Sequence, residues 1–273
     1  MLKLELVEAV LARALKGGAD FAEVYAQRAK KRRMKVRQGA LEEALSGLDY
    51  GAGVRLFFGT EVVYAYTNDL TQEGLMEALE TLLRAKGALG KVDEGGKGGL
   101  DFRKATPKGL HAPKVPYGEK DKRYRLERLL EAEAGARIAP AIKQVEASLL
   151  EWEEEVLVAN TEGVFAEEKR VRTRLFVLAV AQDGAEVQTG YSAPGKSVGL
   201  ELFDLYPPKA VGEKAARQAL TNLKARPAPA GTFPVVVGPG FGGVLFHEAV
   251  GHLLETTSVA RKASVLADKL GEV

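Results

Sequence analysis

Two of the three histidines in this 273-residue chain lie five residues apart and enclose a glutamate. They are His247 and His252, with Glu248 directly after the first, in the segment GPGFGGVLFHEAVGHLLE. Neutral imidazoles are common zinc ligands, and a nearby carboxylate can take the proton of a water that attacks a carbonyl carbon. The residue types indicate a metal site, and the alternative is that both histidines are ordinary helix residues, one buried and one exposed.

The spacing of these histidines is one residue longer than in the HExxH pattern of zinc peptidases. On an ideal helix, side chains four apart diverge by about 40° around the axis, whereas side chains five apart diverge by about 140°. A shared metal ion therefore requires the helix to absorb one residue. Either a π-bulge or a break of the helix at Gly251 would do so.

The same segment also contains the GxGxxG spacing of dinucleotide-binding turns, at Gly238, Gly240 and Gly243. Pro239 removes one backbone N–H that would face a phosphate, and no pattern for a second parallel strand follows. The sequence therefore argues against a nucleotide site at these glycines.

The elements that position the motif are predicted as alternating groups of helices and strands. Thr71 is the expected N-cap of one helix, and the Asn160–Gly163 segment has the composition of a hairpin turn. Glycine-divided β-rich runs predict a mostly antiparallel sheet with flanking helices, an α+β fold, and the run TFPVVVG predicts one more strand before the motif helix. The predicted helices span residues 4–16, 71–86, 121–137 and 207–225.

The domain organisation follows from these elements. We expect an N-terminal domain over residues 1–230 and, over residues 231–273, the strand and motif helix that begin a C-terminal domain whose remainder is missing. The first domain is either one long sheet or two subdomains, at about 1–90 and 121–230. A glycine-, lysine- and proline-rich flexible loop at 87–120 would join the two subdomains.

Charge and composition exclude several classes of function. The net charge is only +2 and no apolar run approaches the roughly 18 residues of a membrane span, so neither nucleic acid nor membrane is an expected partner. The absence of cysteine is consistent with a cytoplasmic protein. The basic run at 29–38 is expected to be a solvated sheet face with Met34 and Val36 inward, and Trp152 is expected to be packed, with a groove position as the alternative. His111, in the loop, is expected to be solvated.

Three segments resemble the TldD/PmbA family of metallopeptidases, in its TldD branch. PVVVGPGFGGVLFHEAVGHLLE resembles the family signature, and GAGVRLFFG with VVYAYTND resembles its N-terminal glycine-rich hairpin. TSVARKASVLADKLGE resembles a diverged form of the segment after the motif. The resemblance implies an α+β N-terminal domain, a β-rich C-terminal domain, and a zinc-dependent peptidase that acts on small or unfolded peptides.

The resemblance also implies roles for individual residues. His247 and His252 would bind one Zn²⁺ ion, and Glu248 would be the catalytic base. The third ligand in the family is a cysteine of the C-terminal domain, and this chain contains no cysteine. Glu255 is a further candidate ligand, or simply a polar residue near the helix end. The implied partner is a PmbA-like subunit or a second copy, and the alternative function is a non-catalytic peptide-binding or assembly subunit of such a complex.

Overall fold

Long antiparallel strands dominate this protein in a computed structural model, which describes residues 1–87, 100–105 and 112–272. The chain divides into two compact units, Met1–Ala225 and Arg226–Val273. Parts of the predicted loop at 87–120, including His111, lie outside the described residues, so the expectation of a solvated His111 stays a prediction.

The first unit is built on one eight-stranded sheet. Its strands are β1 (Phe21–Arg37), β2 (Ala40–Phe58), β3 (Glu61–Thr67), β4 (Arg103–Ala105), β5 (Ile142–Asn160), β6 (Val164–Asp183), β7 (Glu186–Ser192) and β8 (Gly195–Lys196). The strand order is β3-β2-β1-β5-β6-β4, and β7 and β8 also pair with β6. Neighbouring strands are antiparallel, except that β4 runs parallel to β6. Both halves of the unit therefore share one sheet.

The helices of this unit begin and end close to the predicted positions. Thr71 caps its helix as expected, because its hydroxyl accepts a hydrogen bond from the Gly74 N–H at 3.2 Å. No helix among the described residues is long and apolar enough to cross a bilayer. The helices are α1 (Leu4–Lys16), α2 (Gln72–Ala85), α3 (Lys122–Gly135), α4 (Leu202–Leu205) and α5 (Pro208–Asn222), with a 3₁₀ turn at Tyr117–Glu119.

The four long helices cover one face of the sheet. Val24 and Ala26 of β1 belong to the hydrophobic cluster that contains α1 and α2, and Met34 and Val36 belong to the cluster that contains α3 and α5. All four residues are even-numbered, and strand side chains alternate between faces, so both clusters lie on the same side of β1. The opposite face is covered by no helix of the first unit's described residues, and we call it the open face.

The strands are fewer and longer than predicted from the glycines that divide the β-rich runs. Gly39 and Gly59 have φ of 78° and 61° and form turns, as expected. Gly47 and Gly51, however, lie within β2, paired with residues of β1. Extended backbone needs no special φ, so a glycine interrupts a strand only where the chain must turn.

The prediction of a strand at TFPVVVG is wrong. Residues 226–242 contain neither helix nor strand, and Val235 and Val236 are 78% and 97% exposed. A strand exists only through its pairing, and Pro234 offers no N–H to a neighbour. The apolar run alone therefore did not determine its conformation.

Candidate metal centre

The helix that carries the motif breaks between the two histidines. In the second unit, α6 (Gly243–Ala249) is followed by a 3₁₀ turn at Gly251–Leu254 and by α7 (Thr256–Ala260). Val250 stands between α6 and the turn with φ −129° and ψ −43°, outside helical geometry. Of the two distortions that the spacing allowed, the structure contains a break and not the π-bulge, and the break lies at Val250, one residue before the predicted Gly251.

The hydrogen bonds show how the extra residue is absorbed. The Val250 N–H donates to the Phe246 carbonyl at 2.9 Å, an i→i−4 bond. The Leu253 N–H then donates to the Val250 carbonyl at 3.0 Å, an i→i−3 bond of a tighter turn. A Cβ at Gly251 would lie 3.5 Å from Nδ1 of His247, an ordinary contact distance, so Gly251 packs directly beside that imidazole.

The break brings the two imidazoles together. The ring centroids of His247 and His252 are 4.6 Å apart with an interplanar angle of 74°. One potential ligand atom from each of His247, Glu248 and His252 lies within 4.8 Å of the other two. The structure thus places all three residues of the predicted site in one cluster, which an undistorted helix would not do.

Glu255 lies on the far side of the His252 ring. Its Oε1 is 2.7 Å from Nδ1 of His252, whereas Oε2 of Glu248 is 3.4 Å from Nε2 of the same ring. The hydrogen bond to Glu255, its negative charge and the charge of Glu248 raise the pKa of His252 above the ordinary value for histidine. Glu255 therefore contacts a histidine of the cluster and is not itself part of the His–Glu–His group.

The donor set fits zinc in type and falls short in number. Imidazole nitrogen and carboxylate oxygen are both zinc donors, and a catalytic site uses three protein ligands with one open position. If Glu248 acts as a base, the cluster supplies two ligands. The side chains of His252 and Glu248 are 48% and 63% exposed in the described structure, so the cluster is accessible from solvent.

The glycines of the GxGxxG spacing lack the context of a nucleotide site. No strand leads directly into Gly238, since residues 226–237 contain none, and α6 has only seven residues. The structure adds no feature in favour of the nucleotide interpretation.

One interaction at this centre was not anticipated from the sequence. The sequence offers Glu255 as a metal ligand or as a polar residue near the helix end, and neither prediction includes its hydrogen bond to His252. The signal was the three-residue spacing, because residues i and i+3 are neighbours on a helical surface.

The remaining sequence candidates lie in the first unit. Met34 and Val36 are buried as predicted. Trp152 is half-buried, with the Lys31 ammonium 4.7 Å from its ring centroid, and it lines a groove on the open face.

Comparisons with known proteins give a consistent result along the chain. Sequence models of PmbA/TldA metallopeptidase domains match in order: domain 1 at residues 22–86, the central domain at 113–223 and the C-terminal domain at 230–273. The last match covers nearly all of the second unit.

Individual relatives agree with the domain matches. A protein named metalloprotease TldD homolog, from Haemophilus influenzae, is 32% identical over 93% of this chain and 53% of its own length. A metalloprotease from Methanothermobacter thermautotrophicus is 28% identical over 93% of this chain and 54% of its own. The chain spans about half the length of the curated relatives it matches.

A solved structure shows the same fold. TldE from Thermococcus kodakarensis superimposes with a TM-score of 0.69 at 16% identity, covering 98% of this chain and 59% of that one. The identity is low, so this similarity concerns the fold alone.

Proposed function

Because this chain belongs to the TldD/PmbA metallopeptidase family, we propose that it is a peptidase subunit that holds one Zn²⁺ ion with His247 and His252 and uses Glu248 as its general base. The observation that carries the proposal is the His–Glu–His cluster, whose potential ligand atoms lie within 4.8 Å of one another. Relatives named metalloproteases support the metallopeptidase-type role.

Glu255 would fix the orientation of His252. If Nδ1 of His252 carries the proton and donates it to Glu255 Oε1 at 2.7 Å, the lone pair of Nε2 is free for the ion. Metal-bound histidines commonly donate their second ring N–H to a carboxylate in this way. We therefore assign Glu255 as a positioning residue, in place of the ligand role considered from the sequence.

Glu248 would handle the proton of the attacking water. A zinc ion, when bound, polarises the scissile carbonyl and makes water available as a nucleophile near neutral pH. Glu248 follows His247 directly and holds its carboxylate beside the Nε2 edge of His252. It would accept a proton from water and deliver it to the leaving amine.

The third ligand, the substrates and the partner are proposed from the same family relationship. The third ligand would come from a residue outside the His–Glu–His group, on a second subunit. The substrates would be small or unfolded peptides, and the partner a PmbA-like subunit or a second copy of this chain. A cytoplasmic location stays a prediction from the sequence.

A second candidate function is a non-catalytic subunit that binds peptides or assembles the complex. The number of ligands favours it, because the cluster supplies two imidazoles where a catalytic zinc site uses three protein ligands.

Turnover separates the two candidates. A quenched fluorescent peptide is incubated with the zinc-loaded protein, with Glu248→Gln and, as a matched control, with Glu272→Gln, which removes an exposed carboxylate outside the cluster. A peptidase should lose at least about 100-fold in kcat with Glu248→Gln and retain its zinc, because general base catalysis contributes about that much or more. Equal rates for both variants would favour the non-catalytic subunit.

A further inference from the structure

The open face of the sheet carries a groove of about 920 Å³. It crosses β2, β1, β5 and β6, and we call it the Trp152 groove after its aromatic residue. The volume is within the range of about 300–1,000 Å³ typical of ligand sites. All its lining residues belong to the first unit, so it shares none with the metal centre.

Two rows of paired residues form its floor. In the first row Trp152 of β5 lies between Lys31 of β1 and Arg172 of β6, and the next row holds Leu150 between two arginines, Arg33 and Arg174. Paired residues of neighbouring strands point to the same face, and so do residues two apart on one strand. Both rows therefore present an apolar side chain between two cations.

Part of this positive charge has no carboxylate partner. Lys31 lies 3.4 Å from Asp49, and Arg33 lies 3.5 Å from Glu43. By contrast, Arg172, Arg174 and Lys196 are exposed and form no ion pair among the described residues. The unpaired charge is concentrated on the β6 and β8 side of the groove.

The single carboxylate of the lining does not offset this charge. Glu151 is buried, and its Oε1 accepts a hydrogen bond from Nε of Arg125 at 2.5 Å. Elsewhere on β5 and β6, cations do have carboxylate partners. Lys169 of β6, for example, lies 3.0 Å from Glu155 of β5. Clustered like charges repel, so the unpaired arginines indicate a site for an anionic group.

Apolar surface lies beside these cations. Leu45 and Leu150 are 62% and 41% exposed in the groove. The indole N–H of Trp152 is buried without a hydrogen-bond partner in the described structure. A ligand that matches the groove must therefore combine negative charge with apolar groups.

We infer that the Trp152 groove binds an extended peptide whose acidic and apolar side chains are neighbours. Carboxylates of the peptide would pair with Arg172 and Arg174, whose guanidinium groups can each hold a carboxylate with two hydrogen bonds. Apolar side chains would cover Leu150 and Leu45. From β2 to β6 there are three strand spacings, about 14 Å, which an extended peptide of about five residues spans.

A single-stranded nucleic acid fits this groove less well. Base stacking requires an open aromatic face, but Trp152 lies against the Lys31 ammonium at 4.7 Å and the Arg172 guanidinium at 5.7 Å. The exposed leucines also have no counterpart in a polynucleotide. As a site that recruits peptide substrates, the groove rests on the proposed function, whereas peptide binding itself can be measured without turnover.

Trp152 is the chain's only tryptophan, so its fluorescence reports on the groove. The full chain carrying Glu248→Gln, which prevents cleavage, is titrated with the blocked hexapeptide Glu-Glu-Leu-Leu-Glu-Glu. Alternate side chains of an extended peptide share a face, so either face presents Glu–Leu–Glu to the rows of the floor. We expect a saturable emission change that weakens in high salt, and no saturation with Lys-Lys-Leu-Leu-Lys-Lys.

A pair of charge-matched variants tests the arginines. Affinity for the same peptide, now fluorescein-labelled, is measured by anisotropy in Arg172→Gln/Arg174→Gln and in Lys209→Gln/Lys224→Gln. The second pair removes the same charge from exposed lysines on and after α5. We expect Kd to rise at least about tenfold in the arginine variant and less than about twofold in the lysine variant.

Three results would overturn the inference. The first is equal Kd in both variants, and the second is no binding by the unsubstituted protein. The third is tighter binding of oligothymidylate than of the acidic peptide at equal salt. If the groove does not bind the peptide while zinc binding and turnover are intact, the groove inference fails and the proposed peptidase function remains. If the peptide binds but the zinc-loaded protein does not turn peptides over, only the proposed peptidase function fails.

Discussion

At the scale of single residues, the geometry of the metal centre depends on what surrounds His252. One carboxylate lies at each ring nitrogen, Glu255 at Nδ1 and Glu248 at Nε2. The two have different tasks in the proposed site, since one orients the ring and the other moves a proton. Substitutions that keep the shape of each side chain can separate these tasks.

Replacing Glu255 should weaken zinc binding without abolishing it. Glu255→Gln removes the charged acceptor of the His252 ring, and loss of such an outer partner lowers metal affinity by about 10- to 100-fold. Competition with a chromogenic zinc chelator measures the change, with Glu272→Gln as the control. Unchanged affinity would remove Glu255 from the site.

Tyr117 should be the last tyrosine to ionise as pH rises. Burial raises its pKa to about 12, while its hydroxyl is hydrogen-bonded to Thr173 Oγ1 at 2.8 Å. An unfolded tyrosine ionises near pH 10, so the unfolded chain releases this proton first, and the stabilisation present below about pH 10 is lost as pH rises toward 12. Absorbance at 295 nm, as the difference between the protein and Tyr117→Phe, should place this ionisation above pH 11, and a midpoint near 10 would contradict the buried position.

At the scale of elements, the contact between α3 and α5 tolerates no side chain at one position. A Cβ at Gly212 would lie 1.9 Å from the carbonyl oxygen of Ala132. The two helices approach each other through backbone atoms there. Together they cover the end of the sheet that contains Met34 and Val36.

Gly212→Ala should therefore destabilise the fold. Forcing the helices apart costs about 3 kcal/mol, at the upper end of the usual range for overpacking, and lowers Tm by roughly 5–10 °C. Gly118→Ala is the control, because a Cβ there meets nothing within 4 Å. Equal Tm values for the two variants in thermal unfolding would show that α3 and α5 are not packed as described.

The sequence was most informative where local rules are strong. The helix near residue 71 has a capping hydroxyl and an apolar stripe, and Asn160–Gly163 has the residues that a tight turn requires. It was least informative where distant pairing decides, since Gly47 and Gly51 look like turn residues but lie in β2 because β1 pairs with them. The strand prediction at TFPVVVG failed for the opposite reason, because this segment has the composition of a strand but pairs with no other strand of the described residues.

The candidate site was predictable to the same limited extent. Residue types identified His247, Glu248 and His252, and geometry required some distortion of the helix. The choice between a bulge and a break depends on the backbone at Val250, which the sequence alone did not determine. For Trp152 the sequence offers a groove position only as the alternative, and it does not predict the cations beside it, because Lys31, Trp152 and Arg172 meet only through the register of three strands.

At the scale of the whole molecule, the hydrophobic core belongs to the first unit. Both buried clusters consist of residues between Leu2 and Ala219. The metal centre lies in the second unit, over residues 226–273.

Residues 1–225 should fold without the second unit. A fragment that contains both clusters should give the circular dichroism of a mostly antiparallel protein and unfold cooperatively in urea. A fragment that unfolds without cooperativity would show that the second unit is required for the core. Arg172→Gln/Arg174→Gln in this fragment is a suitable control, because those exposed residues contribute little to either cluster.

Zinc stoichiometry tests the central claim most directly. Metal content per chain is measured by mass spectrometry after dialysis, for the 273-residue protein and for His247→Ala. The proposed site predicts close to one zinc per chain in the first and almost none in the second. Equal zinc in both, or none in the unsubstituted protein, would contradict a zinc centre built on His247 and His252.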